Sequence, residues 1–226
     1  MNKQSVYRKL EKQMVKYSDL AKIPACPVAE ELVVLKQTSN LLTRPIDPNM
    51  LIFTGKNIYV RKGVAKLLKK ASLLLSVNNP NLQLEVVYGY RTLSIQQKLF
   101  LKYEKRFQKQ CSGIELLESV HRLIAVPEVA GHPTGGAVDV QILESGKPFN
   151  MGTKIWQFTK DSYTFSPFVS RKAQVNRQLL RQIMMKAGFA PFDGEWWHFS
   201  YGDKEWAKYY NQRYAIYEQI EFKKEV

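Results

Sequence analysis

Four side chains in two distant segments could bind a metal ion together. His132 and Asp139 lie in one glycine-rich segment, and Glu195 and His198 lie close together far downstream. Two imidazoles and one carboxylate form a three-ligand zinc set that leaves a fourth coordination position open for water. A glutamate beside that set is placed to take a proton from the water. The residue types and spacing therefore predict one catalytic zinc ion on His132, Asp139 and His198, with Glu195 as general base.

The segment around His132 is typical of a loop that leads into a buried strand. His132 lies between a glycine and a proline, and two more glycines follow shortly after, so the backbone can approach a bound group closely. Asp139 lies between valines on a strand predicted over residues 136–143. A carboxylate in that position is costly to bury unless it is paired or metal-bound. The alternative to a metal ligand is an ion pair with a buried arginine.

Glu195 and His198 can face one site only under a specific local geometry. Residues three apart on a regular strand point to opposite faces. We therefore expect Glu195 in a turn before a strand that contains His198, and the Asp-Gly pair at 193–194 favours that turn. Trp196 and Trp197 would then wall the site and exclude water. The alternative for both tryptophans is packing in the core, and the two interpretations can hold together.

Arg91 follows a strand predicted over residues 82–88, so its guanidinium could be aimed at a carboxylate or a developing oxyanion. An exposed arginine without a role is the alternative.

His121 is assigned no role. Cys26 and Cys111 are too few for a disulfide framework, and two free thiols are expected.

The bulk composition favours a globular protein with a basic surface. At 226 residues, one domain with a full core is the default. The net charge of +14 is compatible with nucleic acid, anionic lipid or an acidic polymer as partner. The basic residues are spread along the chain, however, and no nucleic-acid motif is recognised, so we expect no specific nucleic-acid partner.

The hydrophobic pattern contains no membrane-spanning or secretory segment. No apolar run approaches the roughly 20 residues that a membrane span requires. The N-terminal stretch is charged and amphipathic, and it lacks the apolar centre of a signal peptide. The sequence therefore predicts a cytoplasmic protein without a membrane span, and leaves its oligomeric state open.

The order of predicted elements favours an α+β fold. Residues 23–50 contain four prolines and are expected to form an extended arm over the surface, and residues 144–172 are rich in loop residues. Helices and strands do not alternate regularly, which favours a central antiparallel sheet flanked by helices. The hydrophobic periodicity predicts helices at 5–21, 59–78, 93–110, 112–124, 175–188 and 203–211, and strands at 82–88, 136–143, 196–201 and 213–221.

Further segments make the chain resemble the D-alanyl-D-alanine dipeptidase family of zinc peptidases, which shares its fold with zinc D,D-carboxypeptidases and the Hedgehog signalling domain. The resemblance runs from about Asn49 to Tyr201. It rests on the two metal-site segments and on residues 49–55, 88–91, 96–97 and 151–153.

The resemblance implies a Hedgehog/D,D-peptidase-like fold and hydrolysis of D-Ala-D-Ala in peptidoglycan metabolism. It also implies the zinc ligands given above, Glu195 as base and then acid, and Arg91 as a donor to the tetrahedral intermediate. The expected organisation is a single peptidase domain over 1–226. An N-terminal helix and arm at 1–48 and a C-terminal helix and strand at 202–226 flank the catalytic core at 49–201.

The chain departs from the family at positions that resemble substrate contacts. Ala130 replaces a usual serine, and Thr92 replaces a usual proline. Trp156 stands where the dipeptidases carry an aspartate that helps hold the substrate's ammonium, with Asp161 a candidate stand-in. A D,D-carboxypeptidase or endopeptidase acting on longer stem peptides is therefore the alternative to a dipeptidase. A non-catalytic zinc-binding module is a second alternative, which the presence of Glu195 opposes.

Overall fold

A computed structural model describes residues 2–221 and contains eight helices and eight strands within that range. The helices are α1 (Lys3–Gln13), α2 (Tyr17–Leu20), α3 (Pro48–Thr54), α4 (Lys62–Asn78), α5 (Leu93–Phe107), α6 (Gly113–His121), α7 (Arg171–Ala187) and α8 (Lys204–Tyr209). The strands are β1 (Leu32–Val34), β2 (Leu41–Thr43), β3 (Tyr59–Arg61), β4 (Leu82–Tyr88), β5 (Ala137–Glu144), β6 (Lys147–Pro148), β7 (Ala190–Pro191) and β8 (His198–Ser200).

The central sheet runs in the order β2-β4-β5-β8-β7, and β6 also pairs with β5. Each of these pairs is antiparallel except β2 with β4, which is parallel. β1 and β3 form a separate antiparallel pair. The predicted α+β class is therefore confirmed, with one parallel edge strand added to the antiparallel centre of the sheet.

The main hydrophobic core lies between the sheet and the helices α4 and α7. Alternate residues of β5, among them Val138 and Ile142, are fully buried against leucines of α4 such as Leu68. This burial removes a continuous apolar layer from water, which is the main stabilising term of such a fold. Asp139 and Gln141 point to the opposite face of β5, and that face carries the polar site.

The segment predicted as one helix over 5–21 is two helices separated by an extended link. α1 ends at Gln13, and the chain is extended at Met14 and Lys16. The carboxylate of Glu118 accepts the backbone N–H groups of Tyr17 and Ser18, at 3.0 and 2.9 Å. Because a side chain from α6 satisfies these donors, the chain begins a new helix there instead of continuing the first.

The proline-rich arm is also more ordered than an extended segment over the surface. It contributes β1 and β2, and α3 begins within it at Pro48 with Asp47 as the N-cap. β2 pairs with β4 in register from Leu41 opposite Leu84. Three-residue strands are too short to show an alternating pattern, so the sequence did not reveal them.

The predicted strand over 213–221 is wrong. That segment makes only an isolated bridge, between Ala215 and Ala25. Its backbone groups are instead bonded to loops and side chains: Tyr217 N–H donates to the carbonyl of Gly202, and Arg61 donates to the carbonyl of Glu218. The chain therefore crosses the surface without a neighbouring strand. Residues 222–226, the end of the expected C-terminal segment, lie outside the described residues.

A buried arginine holds the long loop that precedes α7. Arg177 is fully buried and donates to the carbonyls of Met151 and Tyr163, at 2.7 and 2.6 Å. Its remaining amino group lies 3.5 Å from the hydroxyl of Thr153. These bonds fix the backbone on both sides of Trp156, which lies next to the polar site. None of the helices between residues 2 and 221 is long and apolar enough to cross a membrane.

Candidate active site

The strand pairing brings the three predicted metal ligands together. Asp139 on β5 lies directly opposite His198 on β8, and His132 lies in a 3₁₀ turn just before β5. Oδ1 of Asp139 is 3.5 Å from Nε2 of His132 and 3.1 Å from Nδ1 of His198. One ligand atom from each residue lies within 4.8 Å of the others, and all three side chains are buried. Gly135 closes the turn at a φ of 73°, which a residue with a side chain rarely adopts.

Each of the three ligand candidates also contacts a polar group outside the set. Nδ1 of His132 donates to the carbonyl of Gly89 at 2.8 Å, and the indole of Trp156 donates to Oδ2 of Asp139 at 2.8 Å. Nε2 of His198 lies 3.3 Å from Oε2 of Glu205. With these partners on their other sides, Nε2 of His132 and Nδ1 of His198 both face Oδ1 of Asp139. Two imidazole nitrogens and a carboxylate oxygen, each supported in this way, fit a zinc ion.

The three ligand candidates shift one another's pKa values. Burial alone would raise the pKa of Asp139, but His132 and His198 outweigh it and hold that pKa well below its usual range. Burial lowers the pKa of His132, against the attraction of Asp139. Burial would also lower the pKa of His198, but Asp139 and Glu205 raise it well above its usual value. Metal binding must therefore displace a proton from His198, which makes the affinity rise with pH.

Glu195 lies in a turn immediately before β8, as the strand geometry required. Its N–H donates to the carbonyl of Phe192, and its own carbonyl accepts from His198, at 3.0 and 3.1 Å. Glu195 lines the same cavity as the three metal-ligand candidates. Burial, with repulsion from Asp139 and Glu205, raises the pKa of Glu195 to about 8. A carboxyl with such a pKa can both accept and return a proton near neutral pH.

Arg91 lines this cavity too and is held in one orientation. Its Nε donates to the hydroxyl of Tyr88 at 2.9 Å, and its Nη1 donates to Oε1 of Gln96 at 2.7 Å. The guanidinium also lies 4.8 Å from the centre of the Tyr88 ring. Arginine carries five N–H donors, so these contacts leave others for a bound group.

Sequence reasoning missed three side chains at this site. Glu205 and His121 line the cavity, and Trp156 bonds to Asp139 although the sequence marks it only as a departure from the family. His121 is buried, and burial lowers its pKa. No local signal identified Glu205, since it lies on α8 and reaches His198 only through the packing of that helix beside β8.

The prediction that Trp196 and Trp197 wall the site is wrong. Trp197 is fully buried in the main core, and the indole of Trp196 donates to Thr153 at 2.8 Å. Neither lines the cavity, where the aromatic walls are Trp156, Phe158 and Phe192. Core packing, the alternative given for both tryptophans, is therefore correct.

Asp161 does not line the cavity, although it was a candidate to replace the missing ammonium-binding carboxylate. The carboxylates that do line it are Asp139, Glu195 and Glu205. Asp139 contacts both histidines, and Glu205 contacts His198, which leaves Glu195 as the carboxylate without a histidine contact. Cys26 and Cys111 are free thiols, as expected, and neither lines the cavity.

An α+β fold with two histidines, an aspartate and a glutamate around one cavity presents the side chains that a metal-dependent hydrolase uses. Residues 49–220 match peptidase family M15, described as D-Ala-D-Ala dipeptidase, and the chain belongs to that family. The chain is therefore a metallopeptidase with an α+β fold.

Two relatives of the chain are D-alanyl-D-alanine dipeptidases. A D-alanyl-D-alanine dipeptidase from Synechocystis sp. is 33% identical, and the match covers 75% of this chain and 80% of that protein. One from Enterococcus faecium is 29% identical over 38% of this chain and 43% of that protein. Among solved structures, the LdcB LD-carboxypeptidase is 18% identical with a TM-score of 0.48, and the match covers 80% of this chain and 72% of that chain.

Glu205→Gln is expected to weaken metal binding by about 10- to 100-fold, because the variant keeps the shape of the side chain but loses the charge that faces His198. The dissociation constant of Co²⁺, followed by its visible absorption, measures the effect without recourse to activity. Glu144→Gln, an exposed glutamate at the end of β5, is the matched control. Equal Co²⁺ affinity in the two variants would show that Glu205 does not support the site.

Proposed function

We propose that this chain is a zinc-dependent dipeptidase that hydrolyses D-Ala-D-Ala to two D-alanines in peptidoglycan metabolism. The observation that supports it most is the meeting of His132, Asp139 and His198 within 4.8 Å of one another, on a cavity that Glu195 also lines. Membership of the D-Ala-D-Ala dipeptidase family supplies the substrate class. We propose one zinc ion on these three ligands.

The proposed mechanism assigns each side chain one task. A zinc ion held by His132, Asp139 and His198 would supply Lewis acidity, which would polarise the peptide carbonyl and lower the pKa of a water. Glu195 takes a proton from the attacking water and returns it to the leaving amine as the peptide C–N bond breaks. Arg91 donates hydrogen bonds to the oxyanion that forms on the carbonyl oxygen. The walls formed by Trp156 and Phe158 limit the access of other water to the site.

A D,D-carboxypeptidase that acts on longer stem peptides is the second candidate. One observation favours it: the carboxylates lining the cavity are the ligand candidate Asp139, the proposed base Glu195, and Glu205, which supports His198. None of them is left to bind the free ammonium of a dipeptide. An N-acylated substrate has no such ammonium and needs no counter-ion there.

Hydrolysis of free D-Ala-D-Ala beside N-acetyl-D-Ala-D-Ala tests the proposal. The protein is purified with known metal content, and D-alanine release is measured for both substrates. Release from the free dipeptide alone is the expected result. Faster release from the acetylated substrate would assign the chain to the carboxypeptidases. A zinc-loaded protein inactive on both would contradict the proposal and favour a zinc-binding interaction module.

We further propose that residues 1–226 form one peptidase domain that acts on a small peptide and has no specific nucleic-acid partner. The cytoplasmic location stays a prediction of the sequence. Binding to one nucleic-acid sequence in preference to others would contradict the absence of a specific nucleic-acid partner, because a net charge of +14 alone gives binding that depends on salt but not on sequence.

A further inference from the structure

The two longest of the described helices cover the face of the sheet that lies away from the catalytic cavity. α4 and α7 each span 17 residues and pack with Val138 and Ile142 of β5 in the main core. Asp139 lies on the other face of β5 and lines the catalytic cavity. The two helices also contact each other, since Nζ of Lys70 donates to the carbonyl of Ala187 at 3.4 Å. Their outward sides therefore form one surface behind the catalytic site.

The exposed residues of each helix lie on one stripe. Their spacing follows the helical repeat, which places them on the side away from the core. The stripe of α4 contains Lys62, Lys66, Lys69, Lys70, Leu73 and Val77. The charged and apolar members of the stripe on α7 are Arg171, Lys172, Val175 and Lys186. We call these two stripes together the helical face.

The two helices carry positive charge only. α4 contains four lysines, α7 contains three arginines and two lysines, and neither contains an aspartate or a glutamate. Two of these cations are paired with carboxylates from other segments: Lys62 with Glu31 at 3.4 Å, and Arg181 with Asp193 at 2.8 Å. Within residues 2–221, the other cations of the helical face form no ion pair. Such a surface attracts a polyanion or an anionic surface.

Large apolar side chains lie among these cations. Leu73 is 60% exposed, Val77 is 84% exposed and Val175 is 54% exposed. Leu73 and Val77 are one helical turn apart, and they continue the stripe that Lys69 begins. The helical face therefore presents cations to an anionic partner and apolar side chains that are stabilised by removal from water.

This combination fits a lipid surface better than a nucleic acid. Helices that bind in the plane of a membrane interface combine lysine and arginine with apolar side chains that enter the boundary between headgroups and acyl chains. A nucleic acid would attract the cations but would leave Leu73 and Val77 in water. Proteins that bind single strands stack bases on aromatic side chains, and neither α4 nor α7 contains an aromatic residue.

We propose that the helical face docks this protein onto a membrane surface that contains anionic lipid. The docking is peripheral and requires no spanning helix. Because the catalytic cavity lies on the other side of the sheet, it stays accessible to a dissolved peptide in the docked protein. The inference does not depend on the proposed hydrolysis, and its test measures binding alone.

Sedimentation of the zinc-loaded full chain with lipid vesicles tests the proposal. We expect binding to vesicles of phosphatidylcholine mixed with phosphatidylglycerol, none to phosphatidylcholine alone, and weaker binding as salt screens the charges. The variant carrying Lys66→Gln and Lys69→Gln should bind about 10- to 30-fold more weakly, because each cation near an anionic membrane contributes about fivefold.

The matched control removes the same net charge from the other side of the protein. It carries Lys98→Gln and Lys102→Gln, two exposed lysines of α5. α5 packs outside the main core, and its Gln96 lines the catalytic cavity. We expect this variant to bind anionic vesicles nearly as well as wild type does.

A third variant separates lipid from nucleic acid as the partner. Leu73→Gln with Val77→Gln keeps every charge, and glutamine is a good helix former at an exposed position. We expect it to bind anionic vesicles about tenfold more weakly, because the apolar side chains that leave water on docking are gone. Its salt-dependent binding to duplex DNA should equal that of wild type.

Three results would overturn the proposal. The first is no sedimentation of wild type with anionic vesicles at low salt. The second is an equal loss in the two lysine variants, which would show that binding follows net charge and not the helical face. The third is unchanged vesicle binding in the variant of Leu73 and Val77, which would leave a purely electrostatic surface. If DNA then bound more tightly than the vesicles, the helical face would be assigned to nucleic acid.

Discussion

His198→Ala is expected to yield a folded protein that holds no stoichiometric zinc and releases no measurable D-alanine from D-Ala-D-Ala. The substitution removes one of three ligand candidates and also the contacts with Asp139 and Glu205. Because two ligands rarely hold zinc against dilution, the metal and the chemistry it supplies are lost together. Elemental analysis of the purified protein, beside an assay of D-alanine release, measures both effects.

The third histidine provides the control for this experiment. His121→Gln also replaces a buried imidazole at the same cavity, but His121 contacts the backbone of Val126 and is not a ligand candidate. We expect this variant to keep one zinc ion per chain. Chelation of wild type should lower Tm, and zinc should restore it, because a ligand that binds only the folded state stabilises that state. Stoichiometric zinc in the His198→Ala protein would contradict the proposed ligand set.

The position of the metal-site side chains could be predicted because chemistry and strand geometry restrict them. A buried aspartate between valines needs a partner, and Asp139 has two histidines as partners instead of an arginine. The alternation of side chains along a strand placed Glu195 in the turn before His198, where the structure has it. Both inferences use local rules that do not depend on the rest of the fold.

The supporting partners of the site could not be predicted because they depend on tertiary packing. Glu205 reaches His198 from α8, whose position beside β8 no local pattern specifies. Trp156 reaches Asp139 from a loop position with a φ of 62°, which is unusual for a residue with a side chain. The sequence marked this tryptophan as a departure, whereas the structure makes it a hydrogen-bond donor to a ligand candidate.

Dependence on tertiary packing also explains the errors in the predicted strands. The central strands β4 and β5 carry long apolar patterns, and both were predicted close to their observed bounds. β2 is a three-residue strand that pairs parallel to β4 at the edge, and only its neighbour determines its structure. The apolar residues of 213–221 resemble a strand, but Tyr217 packs into the core from a segment whose backbone bonds to loops.

The pH profile of turnover should follow the protonation of Glu195. In the metal-free site, burial and the nearby Asp139 and Glu205 raise the pKa of Glu195 to about 8. A bound cation favours the charged carboxylate and lowers that pKa. Because the base acts only when it is deprotonated, kcat/KM should rise with pH along an acid limb whose midpoint lies below 8 in the zinc-loaded protein.

Glu195→Gln should then lower kcat by about 10²- to 10⁴-fold, which is the usual contribution of a general base. It should leave the zinc content intact, since Glu195 is not among the ligand candidates. The residual activity should lose the acid limb that wild type shows, because glutamine does not titrate. Glu144→Gln should behave as wild type in all three respects. A Glu195→Gln protein that keeps its zinc and most of its kcat would assign proton transfer to another group at the cavity. The candidate would then be Glu205, the remaining carboxylate that lines the cavity and is not a ligand candidate.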